Sequence, residues 1–348
     1  MIRMANLAAR HERVAADVER RVLDVLRSGR YVGGPVVEAF LGLAARSFGW
    51  AGAVGTNSGT DALAYAMRAM GVGPGDEVIV PAVTFFATAE AVYQVGATPI
   101  VADVRADLPL LDPTTLPIGP KTRLVVAVHL FGEHCALPSL PVPVLDDSAQ
   151  CAGANPPVRT GIAAAVSFYP TKTLGAAGDG GMVLSDDPEL LARVTRLTHH
   201  GMPENYVHER VSGHIGGNSR LDALQAAVLL GHLHDLVPRV ALRRRHAARY
   251  DAELPGAVRR LPRSVGHPVH QYVVRADNRD ALRAFLATRG VETALYYPRT
   301  TGDQPALRGP ATPNASAYCE TTLALPVHEC LTEPDVTTVI EAVRAFYA

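Results

Sequence analysis

The chain has 348 residues, 48% hydrophobic and 19% charged, with a formal net charge of −1. That composition excludes a disordered chain and is long enough for a large domain and a smaller one. Charges of both signs are dispersed with no basic face or arm, which argues against a nucleic-acid partner, and no apolar run approaches membrane-spanning length.

Cys135, Cys151, Cys319 and Cys330 form no Cys-x-x-Cys pair and no zinc spacing, and suit a reducing compartment. The N-terminus MIRMANLAARHERVAADVERRV is charged and lacks the apolar stretch of a signal peptide, so a cytoplasmic location is expected.

Residues 13–27 carry Val14, Val18, Val22, Val25 and Leu26 at helical spacing, with Gly29 as a stop. A second amphipathic stretch runs from Val36 to Phe48 behind Pro35. Strand-like and helical runs then alternate. AVGT at 53–56 precedes a helix from about Thr60 to Met70, and EVIV at 77–80 precedes one near Thr84–Val95. Further strands are expected at 98–103, 124–130, 143–146 and 164–169. Short, continuously apolar strands between helices predict a mostly parallel sheet flanked by helices, with ligands at the carboxyl ends of its strands.

Beyond about Arg239 the pattern changes. A long helix, Leu221 to Tyr250, is broken near Pro238. Then come VHQYVVRAD at 269–277, a helical run Asp280–Arg289, a strand VETALYY at 291–297, and a C-terminal helix opening at Thr332-Glu333-Pro334. The Arg243-Arg244-Arg245 run reads as a solvated helix face. The expected organisation is an α/β chain with a large domain over 13–238 and a smaller C-terminal α/β domain over 239–348, residues 1–12 packing with the latter.

Four segments carry chemistry. In AAVSFYPTKTLGAAGDGG (164–181) a strand runs into a Gly-rich turn holding Lys172. A lysine that forms an imine at neutral pH needs proximity and a lowered pKa, and a strand-end turn supplies both. Gly175, Gly178, Gly180 and Gly181 would let the backbone pass close to a ligand. Taken alone, such a lysine is more often an exposed turn residue. In VPVLDDSAQ (142–150) a strand meets Asp146 and Asp147. A carboxylate there can hold a proton on a heterocyclic nitrogen, or simply cap a turn. In VGTNSGTDAL (54–63) the junction Ser58-Gly59-Thr60 offers free N–H groups to a phosphate, or is an ordinary N-cap. In PAVTFFATAEA (81–91), Phe85 or Phe86 either stacks on an aromatic ligand or belongs to the core.

In this order and spacing, the segments resemble the DegT/DnrJ/StrS-type sugar aminotransferases of the aspartate aminotransferase superfamily. The likeness extends from SGRYVGGPVVEAF (28–40) through VAVHLFG and GGNSRLDALQAAVL (216–229) to LPVHECLT (325–332). It implies pyridoxal 5′-phosphate as cofactor, passing through pyridoxamine phosphate, with Lys172 as the Schiff-base lysine and proton shuttle. By the same resemblance Asp147 faces the pyridine nitrogen, Asp146 does not, Gln150 lies near the ring and its phenolic oxygen, and Phe85 stacks on it. Gly59, Thr60 and Ser167 correspond to phosphate contacts. Asn218 corresponds to an asparagine that reaches the phosphate from a neighbouring subunit, implying a homodimer with shared active sites. Tyr31 and Tyr297 are candidate substrate contacts. The implied reaction moves an amino group from L-glutamate to a keto sugar, nucleotide-linked and of 3-keto-6-deoxy type, as in amino-sugar and antibiotic biosynthesis; a keto-cyclitol is the alternative.

The sequence departs from the family around Tyr296-Tyr297-Pro298-Arg299, where a second histidine is missing, and around His199, His200, His208 and His214. Those histidines show no regular ligand spacing, so no metal is expected. A dehydratase relative would carry histidine in place of Lys172. A non-catalytic cofactor-binding regulator would need an appended DNA-binding module, and a nicotinamide enzyme an early Gly-x-Gly-x-x-Gly turn that is absent.

Overall fold

The computed structural model describes residues 1–348. Helices α1 (Leu7–Glu12), α2 (Ala15–Ser28) and α3 (Pro35–Ser47) lead into strand β1 (Gly52–Thr56) and α4 (Gly59–Ala69). Next come β2 (Glu77–Pro81), α5 (Ala87–Gln94), β3 (Thr98–Ala102), β4 (Thr122–Val128), β5 (Val144–Asp147), β6 (Ala163–Ser167) and β7 (Gly181–Ser185). Local chemistry sets the helix ends. Gly29 closes α2 at φ 65°, a left-handed conformation that glycine adopts without strain. Pro35 opens α3, and Ser58 caps α4.

These seven strands form one sheet in the order β1-β7-β6-β5-β4-β2-β3, in which only β7 runs antiparallel to its neighbours. Both faces are covered. Along β6, Ala163 and Ala165 join a core of 45 residues built on α4 and α5, while Ala164 and Val166 join one of 24 residues under α3 and α7. The chain steps outward from β2 to β3, then returns to the other side of β2 to lay down β4, β5 and β6. A crevice forms at the carboxyl ends of strands where the winding reverses in this way.

The remaining elements are α6 (Pro188–Thr198), α7 (Ala223–His234), α8 (Leu236–Glu253), β8 (Arg259–Arg260), β9 (Tyr272–Arg275), α9 (Arg279–Thr288), α10 (Pro313–Thr321), β10 (Thr322–Leu325) and α11 (Glu333–Tyr347). A three-stranded antiparallel sheet, β10-β9-β8, shares a separate core of 20 residues with α9 and α11. A capping box of Thr332 and Asp335 starts α11, with Pro334 in its first turn. Ile2 pairs with Val291, and the Arg3 carbonyl lies 3.1 Å from His328 Nε2.

Several sequence expectations are corrected. The helix break falls at Asp235, and Pro238 sits harmlessly in the first turn of α8, where its missing N–H costs nothing. The segment 291–297 is not a strand. It bridges Ile2 through Val291 and touches a sheet only where Ala294 bridges Ala324 of β10, then turns to bring Tyr296 and Tyr297 to the site. Strand β7 was not anticipated, because GMVLS is short and directly follows the glycine-rich turn.

Gly181 marks how tightly β7 is seated: a Cβ there would lie 2.3 Å from the Ser58 carbonyl oxygen. Gly181→Ala is expected to cost about 2–3 kcal/mol in urea unfolding, since the obstacle is backbone and cannot rotate away; a midpoint unchanged from the parent protein would contradict this.

Candidate functional site

The strands of the large sheet end in one cavity of about 540 Å³. Its floor depends on a close approach between Gly59, at the start of α4, and Ser167, at the end of β6. A Cβ on residue 59 would lie 2.6 Å from the Ser167 Cβ. The Ser58 Oγ accepts from the Asp61 N–H at 3.1 Å, and the Ser219 hydroxyl ties this junction to Asn57 and Asp61 at 2.9 and 2.6 Å. The first-turn N–H groups of a helix have no intrahelical partner, so with Gly59, Thr60 and Ser167 lining the cavity this end favours an anion.

Successive residues of a strand face opposite sides, so the paired acids at the end of β5 part company. Asp146 is consumed by the fold: its carboxylate accepts from the Thr160 and Gly161 N–H groups, both at 2.9 Å, and lies 3.4 Å from His129 Nε2. Asp147 lines the cavity. The Thr88 hydroxyl donates to its Oδ2 at 3.0 Å and the Ala149 N–H to its Oδ1 at 3.2 Å, which fixes the plane of the carboxylate. Burial pushes its pKa up, with the Lys172 charge acting the other way. The ionised form is therefore under-compensated, and a cation arriving beside it would be stabilised.

Lys172 lines the same cavity. Burial lowers its pKa, while Asp147 pulls it back up. The chain contains only one other lysine, Lys121, which is exposed just before β4, at the opposite end of the strands.

The loop carrying Lys172 is held by side chains from distant elements. Arg10 Nη1 donates to the Pro170 and Lys172 carbonyls, both at 2.9 Å. His232 Nδ1 lies 2.7 Å from the Gly175 carbonyl, Gln225 Oε1 accepts from the Ala177 N–H at 2.9 Å, and His270 Nδ1 lies 3.2 Å from Thr173 Oγ1. The loop's glycines mostly serve this packing and not a ligand. A Cβ at Gly175 would meet the Pro170 carbonyl at 2.3 Å and one at Gly178 the Gln225 amide at 3.0 Å; Gly180, packed on Leu221, does line the cavity.

Behind the loop lies a buried ion cluster. Glu329 accepts from Arg10 Nε at 2.6 Å and from Arg243 Nε at 2.9 Å, with Arg239 Nη1 3.8 Å away. Burial acts to raise the Glu329 pKa, but Arg243, Arg10 and Arg239 together overcome it and hold the carboxyl far below its usual range. This corrects the reading of Arg243-Arg244-Arg245 as solvated. Arg243 is buried, Arg244 is half-buried and donates to the His267 carbonyl at 2.8 Å, and only Arg245 projects into solvent.

Of the other expected residues, Gln150 and Phe85 line the cavity, as does Tyr297, whose ring centroid is 6.3 Å from that of Phe85. Gln150 Oε1 accepts from the Phe131 N–H, which leaves its amino group for the cavity. Phe85 is 61% exposed, whereas Phe86 is partly buried against the core. Tyr31 and Asn218 are exposed and do not line the cavity of their own chain. Residues unforeseen from the sequence also line it: Thr84, Thr88, Asp179, His270, Gln271 and Tyr296. Thr84 and Thr88 stand four residues apart, a helical spacing that was available; nothing local distinguishes His270. Burial, with Lys172 and Arg243 nearby, drives the His270 pKa well down, so the ring is neutral.

Residues 12–344 match the DegT/DnrJ/EryC1/StrS aminotransferase family. The dTDP-3-amino-3,4,6-trideoxy-alpha-D-glucose transaminase of Streptomyces venezuelae is 38% identical, covering 97% of this chain and 94% of its own. The crystal structure of S. venezuelae DesV in complex with a ketimine intermediate superposes with a TM-score of 0.92 at 36% identity, covering 99% of this chain and 98% of that one. NtdA from Bacillus subtilis, solved with bound cofactor PMP, gives a TM-score of 0.90 at 25% identity over 99% of this chain and 85% of that one. No helix is long and apolar enough to cross a membrane.

One consequence concerns pH. A carbonyl can only accept, so His232 carries its proton on Nδ1, and burial lowers its pKa to about 4. Between pH 6.5 and about 4 the unfolded chain binds a proton that the folded chain refuses, so stability is lost as pH falls through that window, by up to ~3 kcal/mol. His232→Gln is expected to flatten this part of the urea-midpoint profile; an unaltered slope would exclude His232 as its source.

Proposed function

The chain belongs to the DegT/DnrJ/EryC1/StrS aminotransferase family of pyridoxal-phosphate-dependent sugar aminotransferases, and from that premise we propose that it moves an amino group from L-glutamate to a nucleotide-linked keto sugar of the 3-keto-6-deoxy type. The observation that carries this reading is the pairing of Asp147 with Lys172, one of only two lysines, in a single cavity floored by a helix N-terminus. The residues fit the cofactor on three independent grounds. A free, partly buried amine suits an aldehyde, an under-compensated carboxylate suits a protonated ring nitrogen, and the start of α4 suits a phosphate.

Lys172 would hold the aldehyde carbon, Asp147 the ring nitrogen, and Gly59, Thr60 and Ser167 the phosphate, with Phe85 against the ring face and Gln150 near its phenolic oxygen. Once bound, pyridoxal phosphate would supply the aldehyde for amino-group exchange and a protonated ring as electron sink. The rest falls to the protein. Lys172 Nζ, its basicity reduced by burial, takes a proton from the donor's α-carbon and later returns one to the acceptor's aminated carbon. Asp147, oriented by Thr88 and Ala149, keeps the ring nitrogen protonated throughout. Tyr297 closes one wall and, with Tyr31, is assigned to the substrate.

The exposure of Phe85 and the position of Asn218 outside its own chain's cavity support a homodimer in which Asn218 reaches the neighbouring subunit's phosphate. The amination of carbon 3 is supported by the name of the S. venezuelae relative.

Purified protein with pyridoxal phosphate is expected to show a visible band that borohydride removes. Peptide mass spectrometry then discriminates cleanly, because Lys121 and Lys172 carry the only side-chain primary amines. Adduct on Lys172, abolished in Lys172→Ala, is expected; adduct on Lys121 would overturn the site. Asp147→Asn should retain cofactor capture yet lower kcat by at least about 100-fold, as electrostatic support is withdrawn from the ring. A panel of keto acceptors with L-glutamate tests the substrate. Turnover of a keto-cyclitol alone would replace the sugar reading, and cofactor binding with no turnover of any acceptor would favour a regulator.

A further inference from the structure

The lysine loop makes few bonds of its own. Within it, the Lys172 N–H donates to the Tyr169 carbonyl and the Ala176 N–H to the Phe168 carbonyl, both at 2.8 Å. Its position comes from outside, and the deepest support is Arg10, 3% exposed on helix α1. One guanidinium makes all the contacts. Its Nη1 is shared by the Pro170 and Lys172 carbonyls, and its Nε is fixed on Glu329 Oε1. The second oxygen of Glu329 holds Arg243, whose Nη1 donates to the Val269 and His270 carbonyls at 3.2 and 3.1 Å. A single carboxylate thus links the loop of Lys172 to the segment that brings His270 to the cavity.

We infer that Arg10 is a positioning residue for Lys172, and that helix α1 is thereby part of the catalytic apparatus. The inference rests on Lys172 being the reacting amine. A carbonyl and a side chain diverge from the same Cα, so anchoring the Lys172 carbonyl fixes the base from which Nζ swings. An amine that must alternate between holding a cofactor and carrying a proton needs that base to be stationary. A guanidinium suits this role because its planar fork serves a carboxylate and two carbonyls at once, whereas an ammonium keeps the charge without the fork. Glu329 stands beside Arg10 and offsets part of its charge, which is still felt at His270 on the cavity wall.

The test compares Arg10→Lys and Arg10→Met with the unaltered full chain, and with Arg259→Met as a surface control. Arg10→Lys is expected to melt within a few degrees of the parent. Its kcat should fall about 10- to 100-fold, the cost of a misplacement of about an ångström, with KM for both substrates within about twofold. Amides of residues 171–177 should exchange with deuterium faster than in the parent, with or without pyridoxal phosphate, and borohydride capture at Lys172 should slow. Should Arg10→Met fail to fold, Arg10→Lys decides. Parent-like kcat and exchange in Arg10→Lys would overturn the inference, as would its unfolding, which would make Arg10 a purely structural residue. Capture at Lys121 in the unaltered protein would instead remove the assignment of Lys172 itself.

Discussion

A sheet covered on both faces leaves only its strand ends for chemistry, and this constraint organises the whole molecule. The interior of the large sheet is closed to polar groups unless they are paired, as Asp146 is by two backbone N–H groups. Asp147, one residue further along β5, is the first position at which a carboxylate can face open space. Ser167 and Phe85 occupy the same kind of position beyond β6 and β2. The cavity lies at the carboxyl ends of the strands, where their winding reverses.

Electrostatics then separates what the fold uses from what it leaves available. Glu329 is saturated by three arginines and is pinned as a permanent anion. Asp147 is buried and Lys172 partly so, yet each lacks a close ion partner among the salt bridges and is pushed toward its neutral form. Buried charge that is fully paired reads as architecture, whereas burial without full pairing reads as readiness for a ligand.

Much of this was legible in the sequence wherever the chemistry is local. Strand runs, the Gly29 stop, the Ser58 cap and the Thr332 capping region all depend on neighbours within a few positions. Lys172 and Asp147 were visible because each follows an apolar strand, and the resemblance to a known family ordered them. What stayed hidden depends on distance in sequence. Arg10 and Glu329 look like surface residues until the fold brings them together, and Arg243 sits in a run that resembles a solvated helix face. The glycines of the lysine loop were visible, but their purpose was not: the Pro170 carbonyl excludes a side chain at Gly175, while Gln225, Leu221 and the Ser58 carbonyl crowd Gly178, Gly180 and Gly181. Residues 291–297 have the composition of a strand but follow the needs of the cavity wall.

The bond between Arg10 and Glu329 spans 319 positions. A ribosome makes Arg10 and then the lysine loop well before Glu329, so the nascent chain carries an unbraced loop for more than 150 residues after Lys172 is made. The large sheet can assemble while translation proceeds, since its strands all precede residue 186. Its reactive amine is locked in place only when the segment around Glu329 arrives. A product of interrupted translation that stops before Glu329 would therefore possess the sheet's share of the cavity wall but not the brace behind Lys172.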